Sequence, residues 1–217
     1  FPYYVYDEDG SNRRENITDW ALARFREAYG GEVTKRDIFH YVYGLLHHPA
    51  YRERYAENLK RELPRIPLVV GSAAFARCAE IGRTLADLHL SYETQPEHPA
   101  LRWVEHPDGG AGGRVSFAVR KMRLSPSRDA VIVNDTLTIE GIPPECFEYR
   151  LGNRSALEWV IDQYQVSEDK RSGITSDPNR ADDPQYIARL VGRVVTVSVE
   201  TVRETRALAA EVALPEG

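Results

Sequence analysis

The sequence predicts an α+β fold, with a helical N-terminal half packed on a small antiparallel β-sheet region and a long C-terminal helix. Three observations predict it. Apolar residues recur at helical spacing through most of residues 18–90, a two-residue alternation takes over between 101 and 140, and neither glycine nor proline interrupts residues 193–214.

The elements follow in order. The chain opens on an aromatic cluster, Phe1, Tyr3, Tyr4 and Tyr6, which reads as a strand cut from a longer polypeptide. After the DEDG turn, Thr18 or Asp19 caps a helix through WALARFREAY, which Gly30 and Gly31 end. Thr34 caps the next, KRDIFHYVYGLLHH, whose Ile38, Phe39, Val42, Leu45 and Leu46 fall at helical spacing. Pro49 stops that helix and opens a third through AYRERYAENLKREL, before Pro64 and Pro67 break the pattern. A fourth follows Ser72 and carries Phe75, Cys78, Ile81, Leu85 and Leu88 inward. The composition then shifts. The Gly-rich DGGAGG at 108–113 joins a short strand near Leu101–Val104 to VSFAVRKMRL at 115–124, and AVIVNDTLTIE at 130–140 reads as a hairpin turning at Asn134 and Asp135. A helix from Ser155, ALEWVIDQYQV, precedes a polar run at 165–183. Asp183 and Pro184 start the last element, which is β-branched but long enough without a breaker to be a helix.

Composition excludes several classes. The 217 residues can bury a substantial core without staples. Two cysteines far apart, Cys78 and Cys146, with Cys78 in a core-like helical pattern, point to a reducing compartment and a cytoplasmic protein. No run reaches the roughly 18 to 20 apolar residues of a membrane span, and the first residues lack the features of a signal peptide. A net charge of -5 argues against a surface wholly given to nucleic acid. Locally the balance reverses: no acid lies between Asp108 and Asp129, where Arg114, Arg120, Lys121, Arg123 and Arg128 are found.

The catalytic motifs fail on their spacing. Asp7, Asp9 and Gly10 begin like a calcium loop, but Asn12 and Thr18 stand where glycine and glutamate are needed. His47 and His48 diverge by about 100° on a helix, and nothing completes a ligand set with His40. Glu168 and Lys170 form the E-x-K half of a Mg-dependent nuclease site without a second carboxylate, so a solvated charged loop is the better reading. Neither a catalytic nor a metal-ligating residue is assigned. What remains is donors suited to DNA. Strand alternation in VRKMRL puts Arg120 and Met122 on one face, with Lys121 and Arg123 on the other. In QYQVSEDKRSGITSDPNR, Lys170, Arg171, Ser172, Asn179 and Arg180 offer phosphate contacts and the forked arginine and asparagine geometries that read bases.

Three blocks then carry a resemblance: FPYYVYDEDGSNRRENITDWAL, DIFHYVYGLLHHPAYRERYAENLKRELPRIPLV and EYRLGNRSALEWVIDQYQVSEDKRSGITSDPN. Together they resemble the C-terminal specificity (target-recognition) region of type ISP restriction-modification enzymes, single polypeptides that join nuclease, ATP-driven translocase, adenine methyltransferase and recognition parts. The resemblance implies recognition of a short asymmetric sequence in double-stranded DNA, which directs adenine-N6 methylation and ATP-dependent restriction by the parent enzyme. It implies S-adenosylmethionine, ATP and Mg for that parent and no cofactor for this chain. Neither the methyltransferase N/D-P-P-Y tetrapeptide nor a helicase phosphate loop occurs here. On this reading residues 1–100 form a helical bracing part. Residues 101–217 form a β-rich recognition part with the loop 165–183 and the last helix, the whole being one integrated domain. The competing reading is a bracing module that docks on the methyltransferase and translocase parts while DNA is read elsewhere. Tyr41, Tyr43, Tyr51 and Tyr55 are the aromatic surface it needs, unless they are core.

Overall fold

The computed structural model describes residues 2–110 and 113–215. Phe1 of the opening cluster, Ala111 and Gly112 of DGGAGG, and the last two residues lie outside the described residues. The chain divides into two compact units, 1–90 with 203–217, and 91–202.

The first unit opens on a small antiparallel pair, β1 (Tyr4–Val5) and β2 (Arg14–Glu15), with Tyr4 opposite Glu15. In α1 (Asp19–Tyr29) the Thr18 hydroxyl accepts from the Ala21 amide at 3.1 Å, and Gly30 ends the helix at φ 112°. In α2 (Lys35–His47), Thr34 and Asp37 close a reciprocal capping box. The predicted third helix is much shorter than its pattern: α3 is Pro49–Arg54, followed by a single 3-10 turn at Asn58–Lys60. The stretch beyond Arg54 has too little apolar periodicity to hold a helix against the core, and Leu63 near its end is 75% exposed. The turn away from the helix lets the Tyr51 hydroxyl donate to the Arg65 carbonyl at 2.7 Å. α4 (Ser72–Leu90) then packs along α2 around Ile38, Tyr41, Leu45, Phe75, Cys78, Ile81 and Leu85. Tyr41 and Tyr51 are fully buried, and the Tyr41 hydroxyl donates to the Pro67 carbonyl at 2.5 Å, so they are core residues rather than an aromatic surface.

Two histidines join α2 to α4. The Tyr43 hydroxyl donates to Nδ1 of His89 at 2.8 Å, His47 Nδ1 donates to the Tyr43 carbonyl at 2.7 Å, and the two rings lie 5.3 Å apart. Burial lowers the His89 pKa to about 4, with the neighbouring His47 adding to the shift, and burial lowers His47 as well. Because the folded pKa lies below the unfolded value, the unfolded chain takes up protons first as pH falls. Stability should therefore be intact above about pH 6.5 and decline towards pH 4, by on the order of 2 kcal/mol once partial solvent access is discounted. Urea unfolding of His89→Gln, compared with the parent at pH 7 and pH 4.5, should show the pH dependence reduced.

The second unit is built on a four-stranded antiparallel sheet of β3 (Arg102–Glu105), β4 (Arg123–Leu124), β5 (Ala130–Asn134) and β6 (Leu137–Glu140), in the order β3-β6-β5-β4. The predicted hairpin turn at Asn134 and Asp135 is present, with Asn134 opposite Leu137 and a register irregularity beside it. A short pair, β7 (Arg150–Leu151) and β8 (Arg154–Ser155), leads into α5 (Ala156–Gln163), where Ser155 and Glu158 form a second capping box. The polar run 165–183, expected as an irregular loop, contains a β-ribbon instead, β9 (Ser167–Glu168) paired with β10 (Thr175–Ser176). The long last helix is α6 (Tyr186–Glu211). Val131, Val133, Leu137 and Ile139 alternate inward from the sheet and pack with Leu157, Ile187, Leu190, Val191, Val194 and Val195 in one apolar core. From Arg203 onward the chain is counted with the first unit, where Leu208 and Val212 join the core and Arg77 pairs with Glu211 at 2.6 Å. Among the described residues no helix is long and apolar enough to cross a membrane.

Candidate nucleic-acid interface

The expected strand 115–124 is not continuous. Only Arg123 and Leu124 enter the sheet, opposite Ile132 and Val131. Before them no neighbouring strand offers a hydrogen-bond ladder, so side chains replace it. The Asn134 amide donates to the carbonyls of Ser116 and Ala118 at 2.8 and 2.9 Å, and the Thr136 hydroxyl accepts from the Ser116 amide at 2.8 Å. Asn179 completes the set by accepting from the Val119 amide and donating to the Val119 carbonyl, both at 2.8 Å. The inward phase therefore shifts: Val119 is buried, then Met122, with Arg120 and Lys121 both exposed between them. This corrects the predicted alternation. Arg120 does not share the side of the buried Met122 but stands exposed in the segment that also exposes Lys121 and Arg123.

The β9–β10 ribbon rises from this same segment. At its start the Val166 amide donates to the Arg120 carbonyl at 3.0 Å, and at its end Asn179 grips Val119. The ribbon's turn is held by Asp169, whose carboxylate accepts from the amides of Arg171 and Ser172 at 2.7 and 2.9 Å, while Gly173 supplies the positive φ of 70°. Those amides, Ser172 foremost, hold the Asp169 carboxyl below the usual carboxylate range. Asp177 is likewise engaged, accepting from the Asn179 backbone amide at 2.9 Å. The cations are not. Arg114, Arg120, Lys121, Arg123, Lys170 and Arg171 are all exposed, and among the described residues no ion pair engages any of them. Asp169 and Asp177 keep their negative charge but turn oxygen atoms to backbone N–H groups, whereas the bases face solvent.

Three predicted contact residues are occupied within the fold. Arg128, at φ 61° in the turn between β4 and β5, pairs with Glu158 at 2.9 Å and stacks 4.2 Å over Phe147. Arg180 lies 3.3 Å over the Tyr186 ring. The Asn179 amide is spent on Val119 and Asp177. These residues make contacts within the fold, although Arg128 and Arg180 remain exposed. Ser172 is at the turn, its hydroxyl oxygen accepting from the Ile174 amide at 3.3 Å. Glu168, half of the E-x-K pattern, lies in β9 opposite Thr175, and no cluster of His, Cys, Asp or Glu suited to a metal occurs among the described residues. One residue escaped the sequence reading. Ile174 is 68% exposed at the ribbon's turn. Its signal is legible afterwards, since it is the one apolar side chain in SEDKRSGITSD.

Asn179→Ala should leave the Val119 amide and carbonyl without partners and loosen the ribbon's base by about 1–3 kcal/mol. Hydrogen exchange should then quicken at Val119 and Val166 while amides of β5 and β6 keep their protection.

The family model for the type ISP C-terminal specificity domain matches residues 1–190. No curated protein matches the chain. Among solved structures, a nuclease-deletion mutant of the type ISP restriction-modification enzyme LlaGI, in complex with a DNA substrate mimic, is 39% identical with a TM-score of 0.79, over 99% of this chain and 18% of that one. The ATP-dependent type ISP enzyme LlaBIII bound to DNA is 34% identical with a TM-score of 0.81, over 98% of this chain and 14% of that one. A DrdV–DNA complex is 39% identical with a TM-score of 0.79, over 94% and 21%. The chain therefore spans about a fifth or less of the length of these similar structures.

Proposed function

The chain belongs to the type ISP C-terminal specificity family, and from that premise we propose that it recognises a specific sequence in double-stranded DNA and thereby directs adenine-N6 methylation and ATP-dependent restriction by a longer cytoplasmic polypeptide. The observation that carries the reading is the common origin of two unpaired basic groups. Arg120, Lys121 and Arg123 lie on the sheet-edge segment, and Lys170 and Arg171 lie on a ribbon clamped to that segment at Val119 and Arg120. Exposed cations held on a rigid base suit a phosphate backbone, because their charge is not already neutralised by the fold. Catalysis, and with it S-adenosylmethionine, ATP and Mg, belongs on this reading to the remainder of the polypeptide. The DNA complexes of the similar structures support the partner.

Base reading is assigned to the segment 114–124 and backbone gripping chiefly to the ribbon's lysine and arginine. An arginine that forks onto guanine contributes about 1–3 kcal/mol at one base pair. Arg123→Ala in the full-length polypeptide should therefore relax preference at one position of the selected site, measured by competition binding against a set of single-base variants. Uniform loss across all variants would place Arg123 on a phosphate and not on a base.

Docking on other parts of the polypeptide is the second reading for the first unit, in which Trp20, Val70 and Leu90 are exposed at 74%, 83% and 84%. Trp20→Ser should leave the salt dependence of DNA binding unchanged while lowering the unfolding temperature of the full-length polypeptide.

A further inference from the structure

Resting on the reading of the chain as a duplex reader, we infer that the β9–β10 ribbon enters the major groove turn first, and that Ile174 there contacts the 5-methyl group of a thymine. The ribbon has no packing purpose of its own. Every residue from Ser167 to Asp177 is exposed, and neither face of the ribbon is buried against the fold. A two-stranded ribbon without a buried face is marginal in water. This one is nonetheless stiffened at both ends, by the Asp169 cap and Gly173 at its turn and by Val166–Arg120 and Asn179–Val119 at its base. The polar ties hold it in an extended projection.

Ile174 stands at the closing pair of the turn, its carbonyl accepting from the Asp169 amide at 2.9 Å, with its side chain largely in solvent. Lys170 and Arg171 lie exposed within the same turn, where long cationic side chains can reach phosphates beside an inserted tip. Two physical constraints select the groove and the contact. A two-stranded ribbon fits the major groove of an undistorted duplex, about 12 Å wide, whereas entering the minor groove, about 6 Å wide, requires the duplex to be kinked or widened. Among the edges displayed in the major groove, the thymine methyl is the apolar group, so an aliphatic side chain among polar neighbours finds its match there.

The test uses the full-length polypeptide on its selected site, with each thymine replaced in turn by deoxyuridine, which removes only the methyl. At one position the parent should lose about fourfold in affinity, the worth of one buried methyl. Ile174→Ala should bind thymine and uracil alike at that position with an unchanged salt slope, and Ile174→Val should restore most of the discrimination. The inference is overturned if no position is sensitive to the methyl, if Ile174→Ala keeps the discrimination, or if Ile174→Ala instead abolishes a kink in the bound duplex. Lys170→Gln with Arg171→Gln serves as the separate arm. A shallower salt slope with a null methyl test leaves duplex reading standing and removes only the Ile174 contact, whereas an unchanged slope counts against the ribbon as a DNA-binding element altogether.

Discussion

Replacing Arg120, Lys121, Arg123, Lys170 and Arg171 together by glutamine in the full-length polypeptide should weaken binding to cognate and to unrelated duplexes and flatten the slope of log K against log salt by up to roughly 4 to 5, close to 0.9 for each lost phosphate contact. At 0.1 M salt that corresponds to a loss on the order of 10⁴-fold, smaller to the extent that one of the arginines reads a base. The size of the effect follows from the state of these side chains in the free protein. Among the described residues none of them is held in an ion pair, so each can displace a counterion from the phosphates without first breaking such a pair within the fold. Arg128→Gln with Arg180→Gln is the matched control. Those guanidinium groups already face Glu158 and Phe147, and Tyr186, so their loss should reduce stability and leave the slope nearly unchanged. Filter binding between 50 and 250 mM salt separates the outcomes. Equal slopes for the fivefold variant and the parent would remove the interface from this surface.

That contrast also marks how far the sequence could be read. Helices with side-chain caps were legible, because Thr18, Thr34 and Ser155 announce themselves by residue type and by the apolar spacing that follows. The hairpin at Asn134 was legible through its alternation. The segment 115–122 was not, because its partners are the side chains of Asn134, Thr136 and Asn179, the last some 60 positions away, and no local pattern encodes such a substitute for a strand. The same tie explains why Asn179 looked like a base reader: an amide able to fork onto adenine can equally fork onto a peptide unit. The ribbon was hidden for a related reason. Its sequence has no alternation to detect, since neither face is buried, and only the closing bonds of Asp169 reveal it. The cluster of basic residue types was visible from composition. Which of them are unpaired was decided by contacts distant in sequence, such as Arg128 with Glu158.

Two glycines passed over in the helical patterns YGLL and EIGRTL carry the other large expectation. In the seam between α2 and α4, a Cβ on Gly82 would lie 1.9 Å from the His40 carbonyl oxygen and 2.7 Å from the Gly44 amide nitrogen, and one on Gly44 would lie 2.5 Å from the Cys78 carbonyl oxygen. These are backbone atoms, so no side chain can swing aside; the helices themselves must part. Gly82→Ala gains about 1 kcal/mol of helix propensity, but separating the seam loosens contacts of Tyr41, Leu45, Cys78 and Ile81, and overpacking alone costs about 1–3 kcal/mol where adjustment is possible. Because adjustment here requires backbone movement, a net loss of at least about 2 kcal/mol is expected, read as a lower urea midpoint with an unchanged m value. Gly44→Ala should behave similarly, and the pair should fall short of additivity, since helices already parted for one methyl have room for the other. A Gly82→Ala protein as stable as the parent would mean that the two helices do not pack this closely in solution. Additive losses would mean that the two glycines relieve separate contacts and not one shared seam.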